Sequence, residues 1–291
     1  MLVCRDMTIS LREFEKLQSG FRRVFLTCID DALVSLDGDE GRDAAVHVVR
    51  KQCKRARALL QLVESAVGQA GQCERRILRD LGRSLARARD SKVVLDVHAD
   101  VTSRFRTVLA DSVGAEIRQA LIAEQFESYS SAADIDAVRQ CLREVRSRAR
   151  RWSLDSTAPG LLEHGLVKAY REARNALRRA DASMLAEDFH EARKRAKTYW
   201  YELEFAARRW PQLALQRLAP ARRLTEVLGQ SNDLHAYCAA VQRVTGNVNE
   251  HAAQVLVALA DRQRRQLELE AVELGSTVFD SKPKEFATDL R

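Results

Sequence analysis

The sequence has few prolines and no long apolar run. Only four of its 291 residues are proline, and the first 158 residues contain none. Long proline-free stretches rich in Ala, Leu, Arg and Glu favour helices, and no segment alternates in the manner of an exposed strand. A membrane-spanning helix needs about 18 or more consecutive apolar residues, and no such run occurs. The sequence therefore predicts an all-α protein without a membrane partner.

The cysteine patterns of metal-binding and disulfide-bonded proteins are also missing. No two cysteines form a Cys-x-x-Cys pair, and none of their spacings is typical of a zinc site. The sequence shows no secretory signal pattern, so we expect a cytoplasmic protein whose reduced thiols pack mostly as small apolar groups. Neither a metal nor a cofactor is expected. The six cysteines are Cys4, Cys28, Cys53, Cys73, Cys141 and Cys238.

What the sequence does contain is a duplicated cationic pattern. His-x-x-Arg-Lys-x-x-Lys occurs at residues 47 to 54 and again at residues 190 to 197. The apolar residues around it repeat with the same offset of 143 residues, at alternating steps of three and four, which is typical of a helix packed in a bundle. A turn of about 100° per residue places the cations on a strip beside this apolar seam. The pattern predicts two related helices, each able to line a groove.

A second pair of segments keeps the same offset. Leu81, Leu85, Arg89 and Asp90 correspond to Leu224, Leu228, Asn232 and Asp233. Two matched segments with one offset indicate a helical hairpin inherited twice, and the repeat is too long for a solenoid unit. We therefore predict an internal duplication, as two domains or as two halves of one pseudo-symmetric domain.

Turn and capping residues divide the chain into expected helices. The first half, 8–152, should hold helices near 8–36, 41–68, 71–88, 91–127 and 132–151. Residues 153–160 form the expected linker. The second half, 161–275, should hold helices near 161–181, 183–208, 211–229 and 232–274, the last interrupted near Gly246. Residues 276–291 are expected to form a mobile tail.

Positive charge is concentrated in the first copy of the pattern. The chain carries 48 Lys and Arg against 41 Asp and Glu, a net charge of +7, which many surfaces share. Residues 42 to 60, however, contain six Lys or Arg and a single acidic residue. Such a one-sided field attracts polyanions, although one basic helix is also typical of a solvated face. Two copies in register favour an extended polyanion as the ligand.

These motifs resemble those of the conserved histidine α-helical domain, the CHAD family, over residues 10 to 275. The family's hallmark is a His-x-x-Arg helix in each half, and Phe-His-Glu-Ala-Arg-Lys-Arg-Ala-Lys at residues 189 to 197 is the closer match. Leu-Gly-Gln-Ser-Asn-Asp-Leu at residues 228 to 234 is similar to its Leu-Gly-x-x-Arg/Asn-Asp-Leu signature. Residues 85 to 91 keep the Arg-Asp but lack the glycine and the following leucine. Residues 170 to 174 resemble the Tyr-x-x-x-Arg element that precedes the second histidine helix.

The resemblance implies two four-helix bundles related by pseudo-two-fold symmetry, with a basic cavity between them that binds inorganic polyphosphate. It further implies no catalytic activity of the domain itself and an association with polyphosphate granules. Lys would act on phosphate as a point charge and Arg as a bidentate donor. The expected polyphosphate-binding residues are Arg50, Lys51, Lys54, Arg57, Arg193, Lys194 and Lys197, with His47 and His190. A second group comprises Arg22, Arg89, Arg171, Arg174 and Arg222, each of which could equally be a surface or ion-paired arginine.

The two motif histidines have several open roles. Each could donate a ring N–H to phosphate, since a nearby polyanion would raise the pKa of the imidazole. Each could instead make an interhelical hydrogen bond to Asp90 or Asp233 that fixes helix packing. Metal ligation and phosphoryl acceptance are further alternatives. The two aspartates could also cap a following helix. The remaining histidines, at positions 98, 164, 235 and 251, are expected in the core or on the surface.

Three other functions remain as alternatives. A basic groove also fits nucleic acid, but no stacking platform or helix-turn-helix pattern is evident, so weaker binding is expected. The long C-terminal helix could serve a protein-interaction scaffold. A phosphoryl-handling enzyme would need clustered carboxylates for Mg²⁺ or a glycine-rich phosphate loop, and the sequence contains neither pattern. No catalytic residues are predicted.

Overall fold

The computed structural model describes residues 9–38, 41–105, 111–128, 134–154 and 160–290, apart from the side chains of residues 86–91, 111–112, 125–128 and 247. Within these ranges the chain is helical and contains no strand, so the predicted all-α fold is confirmed. The predicted linker lies mostly outside the described residues, as does Cys4. In chain order the helices are α1 (Leu17–Asp37), α2 (Arg42–Leu62), α3 (Glu64–Ser84), α4 (Ala86–Arg104), α5 (Asp111–Ser128), α6 (Ile135–Ala149), α7 (Leu161–Ser183), α8 (Ala186–Ala206), α9 (Pro211–Val244), α10 (Glu250–Val278) and α11 (Pro283–Asp289).

The segment that contains Asp233 lies inside a helix rather than at a turn. α9 continues without a break through residues 229 to 232, where the sequence predicts a boundary. Leu228, Ser231 and Leu234 are buried there, and their packing outweighs the weak helix propensity of Gly and Asn. The expectation that Asp233 caps a following helix is therefore wrong. The helix ends instead at a short 3₁₀ turn, Thr245–Asn247, close to the predicted interruption.

The C-terminal residues are packed rather than mobile. Phe286 of α11 is fully buried, and its ring stacks on that of Tyr170 with centroids 4.0 Å apart. The Tyr170 hydroxyl donates to the carbonyl of Ser281 at 2.8 Å, and Trp210 Nε1–H donates to the carbonyl of Leu290 at 2.9 Å. The predicted tail from residue 276 is wrong because aromatic burial and these hydrogen bonds offset the entropy lost on ordering.

One large apolar core joins the two halves of the chain. Buried side chains of α1, α2, α3 and α6 belong to the same cluster as those of α7, α8 and the first part of α9. The seam of the duplicated motif contributes to it, because Val46 and Val49 of α2 and Phe189 and Ala192 of α8 are buried. The halves thus meet through their motif helices. The division into two pseudo-symmetric four-helix bundles stays a prediction.

A second apolar cluster also crosses between the halves. It joins α4 and α5 to the later part of α9 and the first part of α10. At its centre the Nδ1 of His98 lies 3.0 Å from the Tyr237 hydroxyl, and its Nε2 lies 2.9 Å from the carbonyl of Gly114. Burial lowers the pKa of His98 below its usual value. This histidine is therefore a neutral core residue that ties α4 to α5 and α9.

A glycine allows α7 to approach the end of α2. A Cβ on Gly165 would lie 2.2 Å from the backbone oxygen of Leu62 and 2.8 Å from the Leu62 Cδ1. Both distances are far shorter than a van der Waals contact, so only a hydrogen atom fits at this position. The approach fixes where the second half of the chain crosses the C-terminal end of α2.

Candidate functional site

Three helices enclose a groove of about 530 Å³ between the two halves of the chain. α2 and α3 supply its first-half walls and α8 its second-half wall. Within the described residues, its lining carries ten Lys or Arg side chains and a single carboxylate, that of Glu191. The cations that line this groove are Arg50, Lys54, Arg57, Arg75, Arg79, Arg83, Arg193, Lys194, Arg195 and Lys197.

Helical periodicity explains which motif residues reach the groove. Arg50, Lys54 and Arg57 follow one another at steps of four and three, which places them on one face of α2. On α8, His190, Arg193 and Lys197 likewise follow at steps of three and four, and Lys194 also lines the groove. Part of the first copy of the cationic strip and all of the second therefore line one shared groove.

A buried ion pair holds the two strips in register. Arg55 Nη2 of α2 lies 2.7 Å from Glu204 Oε2 of α8, and both side chains are largely buried. The Arg55 guanidinium also lies over the ring of Tyr201, 4.9 Å from its centroid, where a cation–π attraction adds to the ion pair. Breaking a buried pair leaves an uncompensated charge. The pair therefore fixes the position of α2 relative to α8.

A third row of cations was not predicted from the sequence. Arg75, Arg79 and Arg83 follow at steps of four along α3 and line the groove. Arg75 donates to Glu64 Oε1 at 3.0 Å and Arg79 to Asp80 Oδ1 at 2.9 Å. The four-residue spacing was a usable signal. The internal repeat did not reveal it, because the corresponding positions 218, 222 and 226 hold Leu, Arg and Glu.

Arg57 is crowded by other cations. Burial lowers the pKa of Arg57 below its usual range, and the nearby charges of Arg75, Arg79 and Arg83 lower it further. Its Nε atom is buried and makes no hydrogen bond within the part of the chain that the structure describes. Mutual repulsion of these like charges raises the free energy of the folded protein. A bound anion would lower it.

His190 is held by a neighbouring helix. Its Nδ1 contacts Oδ1 of Asn232 on α9, and the Asn232 amide in turn donates to Asp233 Oδ1 at 3.4 Å. The partner is thus the residue next to the aspartate that the sequence suggested. Burial lowers the pKa of His190 below its usual value. The neutral form of the ring is therefore favoured.

The first part of the α2 motif lies outside the groove. His47 and Lys51 are exposed, and neither belongs to the groove lining. Lys51 follows Arg50 by one residue and is turned about 100° away from it around the helix axis, whereas Lys194, which has the same offset from Arg193 on α8, does line the groove. His47 shares the face of Lys54 but precedes Arg50, the first α2 residue that reaches the groove. The two copies of the motif therefore contribute unequally.

The described members of the second group of predicted arginines also lie away from the groove lining. Arg22 and Arg174 donate to the backbone carbonyls of Trp152 and Phe279, respectively. Arg222 forms an exposed ion pair with Glu226 at 3.0 Å. Arg171 lines a separate depression beside the first turn of α7, and the side chain of Arg89 lies outside the described residues.

Carboxylates neutralise some of the cations of the groove, among them Arg75 and Arg79 through Glu64 and Asp80 and Lys194 through Glu191. Arg195 pairs with Glu191 and Glu172, each at 2.7 Å, so this arginine is partly neutralised. Glu202, directly behind the α8 wall, is fully buried. Burial, and next the charge of Glu172, raises the pKa of Glu202 well above its usual value. The charged form of Glu202 is therefore disfavoured.

The described ranges contain neither a cluster suited to a metal ion nor a membrane-spanning helix. They contain no group of three or more His, Cys, Asp or Glu side chains arranged to hold a metal ion. None of their helices combines the length and apolar character needed to cross a lipid bilayer.

Comparison with known proteins assigns this architecture to a family. The crystal structure of the CHAD domain from the plant Ricinus communis matches 92% of this chain and 94% of its own with a TM-score of 0.65. The two sequences are 17% identical, so the match shows a shared fold alone. No curated protein matches the sequence. The model of the CHAD domain family matches residues 23–242, and the chain therefore belongs to the CHAD domain family.

Proposed function

We propose that the groove binds inorganic polyphosphate and that the protein does so as a non-catalytic, cytoplasmic binding module associated with polyphosphate granules. The observation that carries this proposal is the convergence of cations from α2, α3 and α8 on one groove with a single carboxylate in its described lining. Three rows of positive charge suit a ligand that carries a negative charge at every unit. Arg and Lys together supply bidentate and single donors to phosphate oxygens.

The chemistry of the lining favours a ligand without bases. Tyr201 is the one aromatic residue among the described residues of the lining, and its ring already lies against Arg55. Single-stranded nucleic acids bound without sequence preference are usually held by stacking on several aromatic rings. The groove supports neutralisation of charge but offers little surface on which a base could stack.

The lining also favours binding over phosphoryl transfer. Mg²⁺-assisted chemistry on phosphate requires carboxylates that hold the ion, whereas Glu191 is ion-paired with Arg195 at 2.7 Å. The remaining lining supplies donors to phosphate oxygens. We therefore assign the groove no reaction.

A salt series tests the proposed ligand. We expect long-chain polyphosphate to bind more tightly than tripolyphosphate, and far more tightly than single-stranded RNA or duplex DNA at physiological salt. The logarithm of the affinity should fall linearly with the logarithm of the salt concentration, because each phosphate contact releases counterions. Fluorescence anisotropy with labelled ligands measures all four affinities. Equal affinities for DNA and polyphosphate would show that the groove is a general anion site.

Replacing Arg57 with glutamine should separate stability from binding. The Arg57→Gln variant removes a charge that Arg75, Arg79 and Arg83 repel, so we expect its free energy of unfolding to rise, by about 1 kcal/mol at low salt. Polyphosphate affinity should fall, by about tenfold, because a charge-assisted hydrogen bond is lost. Urea denaturation and anisotropy measure the two effects. The exposed Arg178→Gln variant, with the same change in net charge, should change neither; a less stable Arg57→Gln variant would contradict the crowding of cations.

A further inference from the structure

His190 is constrained from behind by a chain of two hydrogen bonds. An ionised carboxylate only accepts hydrogen bonds, so the Asn232 side-chain atom that contacts Asp233 Oδ1 must be the amide nitrogen. The amide oxygen of Asn232 therefore faces His190. That oxygen also only accepts, so the His190 Nδ1 that contacts it must carry a proton. The neutral ring is therefore the tautomer with hydrogen on Nδ1 and a lone pair on Nε2.

This tautomer gives the groove an unusual lining atom. His190 lines the groove, and its Nδ1 is used by Asn232, so Nε2 is the ring nitrogen left for a ligand. The Lys and Arg side chains of the lining, by contrast, can only donate hydrogen bonds. A bare Nε2 offers a lone pair, which is repelled by the oxygen of an ionised phosphate.

The charges around His190 are mostly positive. On its own helix, Lys194 and Arg193 disfavour protonation and Glu191 favours it. On α9, Asp233 lies behind the Asn232 amide. α7 also packs on α8 but places no described residue in the groove lining. The charged side chains that α2 and α3 contribute to the lining are all cationic, namely Arg50, Lys54, Arg57, Arg75, Arg79 and Arg83. A polyanion in the groove would reverse the sign of this field.

We propose that Asn232 is a positioning residue that holds His190 in the Nδ1–H tautomer, and that polyphosphate binding takes up one proton at His190 Nε2. The proton comes from solvent and converts a repelling lone pair into an N–H donor to a phosphate oxygen. No covalent bond forms or breaks in the ligand. This inference rests on the proposed function, since it concerns the same groove and the same ligand.

The tautomer can be read without any ligand. Long-range ¹H–¹⁵N NMR spectra of the ligand-free chain should show His190 with a protonated Nδ1 and a pyridine-like Nε2 at about pH 8. In an Asn232→Leu variant the preference should be lost. In an Asn232→Asp variant the titration midpoint of His190 should rise, because a carboxylate behind the ring stabilises the imidazolium. An Nε2–H tautomer in the wild-type protein would overturn the assignment of Asn232.

Calorimetry in buffers of different ionisation enthalpy measures the proton uptake. For long-chain polyphosphate we expect uptake approaching one proton per bound groove at pH values between the free pKa of His190 and its pKa in the complex, and within that window affinity should fall by up to about tenfold per pH unit. The His190→Gln variant should bind with no uptake and a flatter pH profile. The Lys197→Gln variant, which also loses a groove donor, should bind more weakly but keep the wild-type uptake.

The outcomes separate this inference from the proposed function. The proton linkage would be wrong if polyphosphate bound tightly without proton uptake, or if the uptake persisted in the His190→Gln variant. Either result would be compatible with the proposed function. If the hydrogen bond between His190 and Asn232 served only to hold α8 against α9, binding would take up no proton. The Asn232→Leu variant would then be less stable but would keep the wild-type pH dependence of binding. Absence of polyphosphate binding by the wild-type protein would overturn both the function and the linkage.

Discussion

Replacement of both Arg50 and Arg193 with glutamate is expected to abolish polyphosphate binding while preserving the helical content. The two arginines line opposite walls of the groove, on α2 and α8. Each substitution removes charge-assisted hydrogen bonds, together worth about 3 to 6 kcal/mol, or a loss of about 10² to 10⁴ in affinity. Each also places a carboxylate against the polyanion, which should bring binding below detection.

The control for this variant must carry the same change of charge. Arg178 and Arg223 are exposed and lie outside the groove lining, so their double replacement with glutamate lowers the net charge equally. We expect it to retain binding within a few fold at physiological salt, where distant charges are screened. Anisotropy and far-ultraviolet circular dichroism compare the two variants. Retained affinity in the Arg50 and Arg193 variant would place the ligand elsewhere on the protein.

Substitution of Gly165 with alanine should cause the largest loss of stability from a single methyl group. Its Cβ would lie 2.2 Å from the backbone oxygen of Leu62, which cannot move aside as a flexible side chain can. We expect the free energy of unfolding to fall by about 3 kcal/mol or more. Binding of polyphosphate should weaken too, because displacement of α2 moves one wall of the groove.

Gly82 provides the opposite case on the same fold. It lies inside α3 with no heavy atom within 4 Å of the position of an added Cβ. Gly82→Ala should therefore raise the free energy of unfolding by up to about 1 kcal/mol, because alanine loses less conformational freedom in a helix. Urea denaturation of both variants gives the comparison. Equal effects at the two glycines would show that the α2–α7 approach tolerates a larger side chain.

Much of the groove could be predicted from periodicity and repetition. The steps of three and four from Arg50 place Arg57 on one face of a helix whatever the tertiary structure, and the repeat carried the prediction to Arg193. Periodicity cannot show where along a helix the neighbouring wall begins. His47 shares the angular position of Lys54 but lies before the groove, and only the packing of α2 against α3 and α8 reveals this.

Other features depended on contacts that are distant in sequence. Phe286 is a single aromatic residue in a short polar segment, and its burial follows from a partner, Tyr170, more than a hundred residues earlier. The continuity of α9 depends on packing around Leu228 and Leu234 that outweighs the helix-breaking tendency of Gly229. Local propensity is weak enough to be overridden in this way.

The second apolar cluster, which joins α4 and α5 to α9 and α10, is completed late in synthesis on the ribosome. Val101, Ile117 and Leu121 of α4 and α5 are fully buried in the cluster completed by α9 and α10, whose residues are translated more than a hundred positions later. Contacts between residues so far apart in sequence form slowly, and apolar surfaces that stay exposed until then are prone to aggregation. A nascent chain stalled before Pro211 should therefore bind holdase chaperones through α4 and α5 and release them once α10 has emerged.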